Sequence, residues 1–573
     1  MRSQRNAVSP LLGMATLLVS SWALGQPTAP EASPPPTPTA PSDESADDSA
    51  ATPGAGSSVL DVPEAPPAPP SAGSSKAGAK SAPPGAPTAF ADEAATLRSK
   101  PGSSDPVAGY HGIFFVRDTD GQFRISPTGM LQLDLYTYFG PEVGSLPRAA
   151  GGAGLPTQLS VRRARFGLHG EMLKRWSWMA SLDVVGAGAS TVGADEMYAS
   201  SPPVEATEPG SNARGGGAGL APRELWVNYS LAPFFNLTLG QTQAPVSMES
   251  RTADTALPML NRSLANRGLV APGGRETGLM FWGSVMGSMV AYELMLAGGD
   301  GENRATVDSA FDVMGRVTVR PLPMVKALRE AHIGISARHG ERDPSSVAYD
   351  MMGVSSSQGF RFFEPSYVDS LGQRTHVLPS GAQNLIGGEL RVPVGPVELT
   401  HEMHYAAYDT REALAGFQLT NTERLGSYTG LGFTSRVTWW ALGDEHVAPE
   451  SGVLKPPRLE LKRKVPYKRG LELDGVVSGI LASYEAASRG GELDPLTPGA
   501  TDRPATDVTV WQFALAASYW HTQHVRLQLA YSTYWVPGAG TADNLAVAPS
   551  QLVARPGDAE LLHELGTRVQ LGF

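Results

Sequence analysis

The chain has 573 residues, a formal net charge of −11 and no cysteine. Charged residues make up 18% of it, below the roughly 25% of typical soluble domains, whereas glycine (64) and proline (48) are numerous. This composition excludes Lys/Glu-rich coiled coils, disulfide scaffolds, thiolate metal sites and cysteine nucleophiles. The negative charge is opposite to the basic footprint of nucleic-acid-binding proteins, so we expect no nucleic-acid partner.

Residues 1–25 have the pattern of a secretory signal peptide. Two arginines precede an uncharged apolar stretch, and small residues follow at Ala23 and Gly25. We expect cleavage near Gly25, before Gln26, and export to the outer membrane of a Gram-negative cell. A membrane-anchoring helix is the alternative, but the apolar stretch is short and interrupted by Ser and Pro. No later run of about 20 apolar residues is present, so a membrane-spanning domain here must be a β-barrel.

Residues 26–109 are dominated by Pro, Ala, Ser, Thr and Gly. Such a segment cannot bury enough apolar surface to offset the entropy of ordering. We therefore predict a disordered, partly polyproline-II periplasmic tether rather than a domain. An inert linker and a spacer that contacts the cell wall are both compatible with this composition, which indicates only flexibility.

From residue 110 to the end, apolar and polar residues alternate with the period of two that is typical of β-strands. In one segment, one face carries Ala164, Phe166 and Leu168 and the other carries Arg163, Arg165 and His169. An apolar face with Trp and Tyr near its ends, opposite a polar face, suits a strand with lipid outside and water inside. We predict an all-β fold, a transmembrane antiparallel β-barrel, over residues 110–573.

About sixteen segments have this pattern, an even number as a closed bacterial barrel requires. The predicted strands are 123–139, 158–170, 175–186, 222–231, 235–242, 276–285, 287–297, 310–320, 330–339, 383–392, 396–408, 429–441, 470–485, 507–519, 524–535 and 561–573. Long and short gaps mostly alternate, as outer loops and periplasmic turns do. The gap from Leu442 to Arg469 is an exception, which predicts either an extended turn or a further hairpin. A soluble β-sandwich is the alternative fold, but its core requires more inward apolar positions.

Several segments carry a resemblance to a known family: QLSVRRARFGLHGEM (158–172), LWVNYSLAPFFNLTLGQTQAPVSMES (225–250), NRSLANRGLVAPGGRETGL (261–279), RVTWWALGDEHVAPESGV (436–453) and the terminal TRVQLGF. In this order they resemble the phosphate-selective porin O and P family, over about residues 110–573. The resemblance implies a sixteen-stranded homotrimeric porin in outer-membrane lipids, inserted by the barrel assembly machinery. It further implies a lumen lined by arginine and lysine that passes phosphate or other small anions, narrowed by the third outer loop.

Arginines are frequent on the predicted polar faces and in the third-loop match. Guanidinium groups are always charged and bind phosphate oxygens through paired N–H groups, so a ladder of them provides an anion path. The candidate pore-lining, anion-binding residues are Arg163, Arg165, Arg316, Arg338, Arg436, Arg526 and Arg568 on strands, and Arg251, Arg262, Arg267 and Arg275 in the third-loop match. The same strand faces carry Asp183, Glu224, Glu293, Glu389 and Glu398. Pairing that only rigidifies the wall is therefore an equally open interpretation.

Motifs for catalysis or metal binding are weak, and we predict neither an enzyme nor a cofactor or metal site. His401 and His404 would point to opposite faces of a strand, which does not suit a shared metal ion. Asp118 begins a sequence like a calcium loop, but Gly129 occupies the position of the bidentate glutamate, so we expect a turn. Two function classes remain: a passive anion channel, and a structural or anchoring barrel or general porin with little anion preference.

Overall fold

In the computed structural model, the described residues are 107–110, 114–139, 157–185, 219–270, 274–303, 309–343, 350–357, 361–363, 365, 367–368, 374–413, 424–443, 469–488, 502–537 and 561–572. All of them belong to one unit, residues 86–573. Residues 1–106, with the predicted signal peptide and nearly all of the predicted tether, lie outside the described residues.

Sixteen strands in the described part of the chain form one closed antiparallel wall. Their bounds are β1 Phe123–Phe139, β2 Gln158–Met172, β3 Trp176–Val185, β4 Gly219–Ala232, β5 Phe235–Gln243, β6 Arg275–Val285, β7 Val290–Ala297, β8 Asp312–Val319, β9 His332–Arg342, β10 Arg374–Val394, β11 Val397–Ala413, β12 Arg424–Leu442, β13 Gly470–Ser488, β14 Asp502–Thr522, β15 Val525–Trp535 and β16 Leu561–Gly572. Each strand pairs with the next, and β16 pairs with β1. The predicted barrel is confirmed, and the β-sandwich alternative is wrong because a single sheet closes on itself.

Strand alternation separates an apolar outer surface from a polar inner one. On β1, Leu131, Leu133 and Leu135 are 37–43% exposed, whereas Gln132 and Asp134 between them are 0% exposed. The same division recurs around the barrel, with exposed Leu, Val, Ile and Phe outside and buried Gln, Ser, Asp and Arg inside. Lipid accommodates the first surface and the lumen the second.

Strand β10 begins earlier than the sequence pattern predicts, at Arg374 rather than at residue 383. Pro379 and Gly381 have the chemistry of a turn, but they belong to an irregularity within the strand. The register shifts between Pro379 and Gln383, and Gly381 has a positive φ of 64° that favours glycine. The strand therefore continues through this bulge into a stretch that the sequence pattern assigns to the preceding loop.

The long gap after β12 does not conceal a wall strand. β12 pairs directly with β13, and Leu442 is opposite Leu471 at the end of the ladder. The extra-hairpin interpretation is therefore excluded for the wall, and the extended turn stays a prediction. Residues 444–468 of this connection lie outside the described residues.

Short elements complete the described fold: helices α1 Met248–Arg251 and α2 Leu264–Leu269, a 3-10 helix Lys326–Leu328, and short strands Ala108–Tyr110, Phe114–Arg117, Val354–Ser355, Arg361–Phe363 and Tyr367–Val368. Among the described residues, no helix is both long and apolar enough to cross a membrane. The predicted turn before β1 is present: the Asp118 carboxylate accepts a hydrogen bond from the Phe123 N–H at 2.7 Å, and Gly121 has a φ of 63°.

Candidate functional site

The connection between β5 and β6, residues 244–274, is called loop 3 below. Its described residues, 244–270 and 274, lie inside the barrel. Its two helices begin at serines that accept a hydrogen bond from a backbone N–H three residues later, Ser247 from Ser250 and Ser263 from Asn266. Such caps stabilise the start of a helix too short to persist alone. Leu264 is 0% exposed, as a side chain enclosed by the wall must be.

Polar side chains of the wall hold loop 3 on the side of β11 to β14. The Glu402 carboxylate accepts hydrogen bonds from the Ser247 hydroxyl at 3.1 Å and from the Glu249 N–H at 3.0 Å. Two N–H groups at the start of α2 donate to the side chains of Gln512 and Ser478, each at 3.2 Å. Helix-end donors that would otherwise be orphaned inside the lumen are therefore paired with the wall.

Glycines in β12 allow α2 to approach the wall closely. A Cβ atom at Gly430 would lie 2.4 Å from Leu269 Cδ2, and one at Gly432 would lie 2.8 Å from Leu269 Cδ1 and 2.9 Å from Ala265 Cβ. Side chains at these positions would therefore displace the helix. The Tyr408 hydroxyl also donates to the Leu269 carbonyl oxygen at 2.7 Å. Loop 3 is thus fixed to this half of the wall by both apolar and polar contacts.

A second inward segment, residues 350–357, packs against loop 3. The Asn261 side chain donates to the Ser357 carbonyl oxygen at 2.8 Å, and Arg267 Nη2 donates to the Ser355 carbonyl oxygen at 2.8 Å. Ser357 in turn donates its N–H to the Tyr534 hydroxyl on β15 at 2.9 Å. Loop 3 is therefore held between this segment and the wall.

On the side of β2 to β4, loop 3 presents Asp254 to four arginines, which are called the four-arginine cluster below. Arg262 Nη1 donates to Asp254 Oδ1 at 2.9 Å, and Arg165 Nη2 donates to Oδ2 at 3.1 Å. Arg163 and Arg223 form ion pairs with the same carboxylate at 3.6 Å. The Asp254 side chain is 1% exposed, whereas the four arginine side chains are 12–15% exposed.

The charge around Asp254 fixes its protonation state. Burial alone would raise the pKa of the Asp254 carboxyl, but the neighbouring guanidinium groups hold this pKa well below its usual value. Two further carboxylates share the cluster: Asp183 accepts from Arg165 at 2.8 Å, and Glu302 pairs with Arg223. Asp254 is therefore an anion at neutral pH. The four guanidinium groups around it carry more positive charge than its single negative charge balances.

The candidate arginines of the other strands lie on the lumen side, and most have a carboxylate partner. Arg316 binds Glu389 at 2.7 Å, Arg338 binds Asp312 at 2.5 Å, Arg526 binds Glu472 at 3.2 Å and Arg568 binds Asp134 at 2.6 Å. Arg436 also faces the lumen, and its Nε atom has no hydrogen-bond partner among the described residues. Among the candidate arginines on described strands, Arg436 alone departs from the pairing pattern.

The candidates of the third-loop match are close to one another but make different contacts. Arg251 binds Glu293 at 2.5 Å, Arg262 belongs to the four-arginine cluster, and Arg275 binds Glu224 at 2.7 Å. Arg267 donates instead to the carbonyl oxygens of Arg262 and Ser355, at 2.5 and 2.8 Å. Arg275 is the first residue of β6 rather than part of the loop's helices.

The carboxylates expected on the polar faces all pair with arginine. Asp183 pairs with Arg165, Glu224 with Arg275, Glu293 with Arg251 and Arg316, Glu389 with Arg316, and Glu398 with Arg391. Pairing is therefore the rule at these positions. The anion-binding role of the candidate arginines stays a prediction.

Sequence reasoning missed Arg223 and Asp254. Strict alternation places Arg223 and Glu224 on opposite faces of β4. The register with β3 shifts at this point, because Ser181 is opposite Glu224, Leu182 is opposite Pro222, and Arg223 is the extra residue. The bulge lets Arg223 and Glu224 both reach partners inside the barrel. Asp254 lies in a loop without periodicity, so no local pattern indicates its direction.

The histidines of the HEMH run lie on opposite faces of β11. His401 bonds to the Ser435 hydroxyl at 2.8 Å, whereas His404 is directed inward, 3.9 Å from Glu402. In the described residues, no group of three or more His, Asp or Glu side chains has the arrangement to hold a metal ion.

Comparison with known proteins gave the following similarities. Residues 142–555 match the model of the family described as phosphate-selective porin O and P. Similar solved structures include OmpT, an outer membrane protein of Vibrio cholerae, with 8% identity over 79% of this chain and 98% of that chain and a TM-score of 0.42. They also include the anion-selective porin from Comamonas acidovorans, with 12% identity over 79% and 100% and a TM-score of 0.40, and the outer membrane channel DcaP of Acinetobacter baumannii, with 12% identity over 79% and 97% and a TM-score of 0.38. No curated protein matches the chain.

Proposed function

The chain belongs to the phosphate-selective porin O and P family, and from this premise we propose that it is a passive diffusion channel for small anions, phosphate among them. Proteins of this family are porins, and the chain is accordingly an outer-membrane porin. The anion preference of its lumen depends on the charge of the described residues that face the lumen.

The observation that carries the proposal is the four-arginine cluster. Four guanidinium groups face the three carboxylates of Asp254, Asp183 and Glu302, so positive charge is in excess. The arginine side chains are 12–15% exposed, and water therefore reaches them. A fixed positive field at a narrow, water-filled part of a pore favours anions over cations.

The arginines of β15 and β16 differ from the cluster in access to water. Arg526 and Arg568 are 0% exposed, and their partners Glu472 and Asp134 are 5% and 0% exposed. Arg526 Nη1 also donates to the Leu257 carbonyl oxygen of loop 3 at 2.7 Å. Arg526 therefore stabilises the contact between loop 3 and the wall, and Arg568 joins β16 to β1 through Asp134. The proposed anion path follows β2 to β4 instead.

A structural or anchoring barrel, or a general porin with little anion preference, is the second candidate function. One observation favours it: nine of the eleven candidate arginines form an ion pair with a carboxylate. Paired charges contribute a weaker net field than free ones, and loop 3 lies inside the lumen. Solute transport by the purified protein separates the two functions.

The proposal extends to the biogenesis and assembly of the porin. We expect removal of residues 1–25 during export, a tether over residues 26–109 that is free to contact the cell wall, and recognition of the terminal strand by the barrel assembly machinery. We also expect a homotrimer in outer-membrane lipids. Composition supports the first two expectations, and family membership supports the others.

Solute uptake by proteoliposomes tests the proposed function. Liposomes that contain the purified porin are transferred to one of three isosmotic solutions. These contain potassium phosphate with the potassium carrier valinomycin, a neutral sugar similar in size to phosphate, or a chloride salt whose organic cation is too large to permeate. Swelling should be fastest in phosphate, because the lumen field attracts anions. Protein-free liposomes give the background rate.

Two results would reject the proposal in favour of a different function. Swelling at the background rate in every solution would identify a barrel without a diffusion path. Equal rates for phosphate and the neutral sugar would identify a general porin without anion preference.

A further inference from the structure

Many carboxylates that face the lumen bind an arginine, but two at the contact between loop 3 and the wall do not. Glu249 of α1 and Glu402 of β11 form no ion pair with an arginine among the described residues. We propose that these two carboxylates position loop 3 in a proton-dependent way, with firm docking at acidic pH and looser docking at alkaline pH. The inference goes beyond anion diffusion and does not depend on the anion preference of the lumen.

The two carboxylates hold the starts of both helices of loop 3. Glu402 accepts hydrogen bonds from the Ser247 hydroxyl at 3.1 Å and from the Glu249 N–H at 3.0 Å. The Glu249 carboxylate accepts from the Ser263 hydroxyl at 2.6 Å and from the Ser263 N–H at 3.1 Å. Because Ser247 and Ser263 are the caps of α1 and α2, a change of charge on these carboxylates acts directly on both helices.

Charged groups around the pair compensate it only in part. Those that face it from the neighbouring elements are Arg262 of loop 3, Arg316 of β8, His404 of β11 and Arg436 of β12. Arg262 and Arg316 are already bound to nearer carboxylates, at 2.9 and 2.7 Å, and Arg436 is shared with Asp474 of β13. The two carboxylates of the pair are only 8% and 4% exposed, so they repel each other when both are charged.

His404 is a second proton-binding group beside Glu402. Its ring is 2% exposed, and both ring nitrogens have no hydrogen-bond partner among the residues that the structure describes. His404 Nε2 lies 3.9 Å from a Glu402 carboxylate oxygen. Gly387 of β10 leaves space for the ring, since a Cβ atom there would lie 2.7 Å from His404 Nδ1. A proton on His404 places a positive charge beside Glu402, and therefore acts in the same direction as a proton on Glu249.

Raising the pH weakens the docking of loop 3 through Glu249. Burial raises the pKa of the Glu249 carboxyl, and the Glu402 charge raises it further. In a released loop this carboxyl is in water, with a pKa of about 4.3. Between these two pKa values the docked loop binds more protons than the released loop, so docking weakens as pH rises through the interval. The apolar contacts of α2 with β12 do not titrate, and the loop therefore loosens rather than leaves the wall.

Reaction of a buried thiol measures this loosening directly. The chain has no cysteine, and Leu264→Cys places one thiol beside the α2 cap, at a position that is 0% exposed and has room for the smaller side chain. Methyl methanethiosulfonate is applied to the purified full-length protein in detergent, with Glu249 present or with Glu249→Gln. Comparison of the two proteins at the same pH cancels the ionisation of the thiol itself.

The thiol should react at similar rates in both proteins at pH 4, and faster at pH 8 in the protein that keeps Glu249. The ratio of the two rates should grow by up to about tenfold per pH unit within the interval between the docked and released pKa values, because only the carboxylate loses a proton there. A ratio that does not change with pH would overturn the inference.

Glu398→Gln is the matched control for this measurement. Glu398 lies on the same strand and the same face as Glu402, but it binds Arg391 at 2.5 Å, so its removal should leave the rate within about twofold at every pH. Glu402→Gln should instead act like Glu249→Gln, because the repulsion requires both charges. A pH-independent ratio for Glu402→Gln would contradict the pair, also where Glu249→Gln fails to assemble.

Open-channel current noise gives the consequence for transport. It should rise from pH 5 to pH 8 in wild-type channels and stay at its pH 5 level in Glu249→Gln, and an equal rise in both would overturn the positioning role. Thiol reaction requires no current, so its result is separate from the proposed function. A barrel without anion preference can still show the pH-dependent rate ratio, and an anion-selective channel with a constant ratio keeps the function and rejects the positioning role.

Discussion

At the scale of single residues, the lumen arginines differ in what surrounds them. Arg526 and Arg568 are sealed against loop 3 or a β1 carboxylate and are 0% exposed. Arg163 and Arg165 share one loop carboxylate, Asp254, and keep contact with water. Because water carries the permeating ions, only the second kind can bind them directly. We therefore expect selectivity to depend on β2 rather than on every arginine of the wall.

The double substitution Arg163→Gln with Arg165→Gln tests this expectation. It removes two positive charges from the four-arginine cluster while keeping polar side chains, so the reversal potential in a salt gradient should shift toward cation preference. The matched control is Arg320→Gln with Arg391→Gln, which removes two guanidinium groups of the wall that pair with Glu330 and Glu398. Equal reversal potentials for the two double variants would assign the β2 arginines a structural role only.

Sequence alternation identified the direction of Arg163 and Arg165, but not their partners. A period of two fixes which face of a strand a side chain occupies, and these two arginines lie inside as the pattern predicts. The partner Asp254 comes from a loop 89 residues further along the chain than Arg165. No periodicity extends through that loop, so the site required the tertiary structure.

Glu249 of loop 3 gives a pH-dependent prediction. Burial raises its pKa above the usual value, and the nearby Glu402 carboxylate raises it further, against the effect of Ser263 and the arginines Arg436 and Arg262. Between the pKa of an unfolded glutamate, about 4.3, and this raised value, the folded state binds more protons. The free energy of unfolding therefore falls as pH rises through that interval.

Glu249→Gln mimics the protonated side chain and should remove this fall in the free energy of unfolding at higher pH. The unfolding temperature in detergent, measured by the heat-induced mobility shift in gels, should rise relative to wild type at pH 8 and differ little at pH 4. The gain should grow steadily between those values. A difference that is constant with pH would show that Glu249 is not the responsible group.

At the scale of elements, the strands were predictable and the loop conformation was not. The bounds of β1 agree with the sequence pattern at both ends, and from Met130 to Phe139 its residues alternate between buried and more exposed positions. β10 was predicted nine residues too short at its start, because a bulge around Gly381 resembles a turn in sequence. Loop 3 is positioned by contacts with strands that are distant in the chain, and these leave no local signature.

The close contact of α2 with β12 requires glycine on β12, because any side chain there would collide with the helix. Gly432→Val should therefore disturb this contact. The first added carbon would lie 2.8 Å from Leu269 and 2.9 Å from Ala265, so the helix must move. Such overpacking typically costs about 1–3 kcal/mol. We expect a lower unfolding temperature and greater open-channel current noise, because loop 3 is held less firmly.

Gly388→Val is the control for this substitution. It introduces the same side chain into β10, at a position where a Cβ atom has no neighbour within 4 Å. Its unfolding temperature and current noise should match wild type. If both variants behave alike, the close contact between α2 and β12 does not determine the position of loop 3.

At the scale of the whole molecule, the barrel closes without its N-terminal segment. β1 begins at Phe123 and pairs with both β2 and β16. The closed wall has no free edge, so its stability requires no contribution from the predicted tether. Residues 26–105 contain few of the large apolar and aromatic side chains that docking would need.

Deletion of residues 26–105 should therefore leave assembly and conductance intact. The signal peptide is retained so that export proceeds. Outer-membrane yield, the heat-induced mobility shift and single-channel conductance should all match the full-length protein. Failure of the deletion variant to insert would show that this segment takes part in barrel assembly.

The central claim is that the lumen of this barrel selects anions, and the reversal potential of single wild-type channels in a potassium chloride gradient tests it most directly. Excess guanidinium charge in the four-arginine cluster predicts a potential close to the chloride equilibrium potential, and a shift toward zero as total salt is raised, since salt screens the field. A reversal potential at zero or on the potassium side, at low salt, would contradict the account.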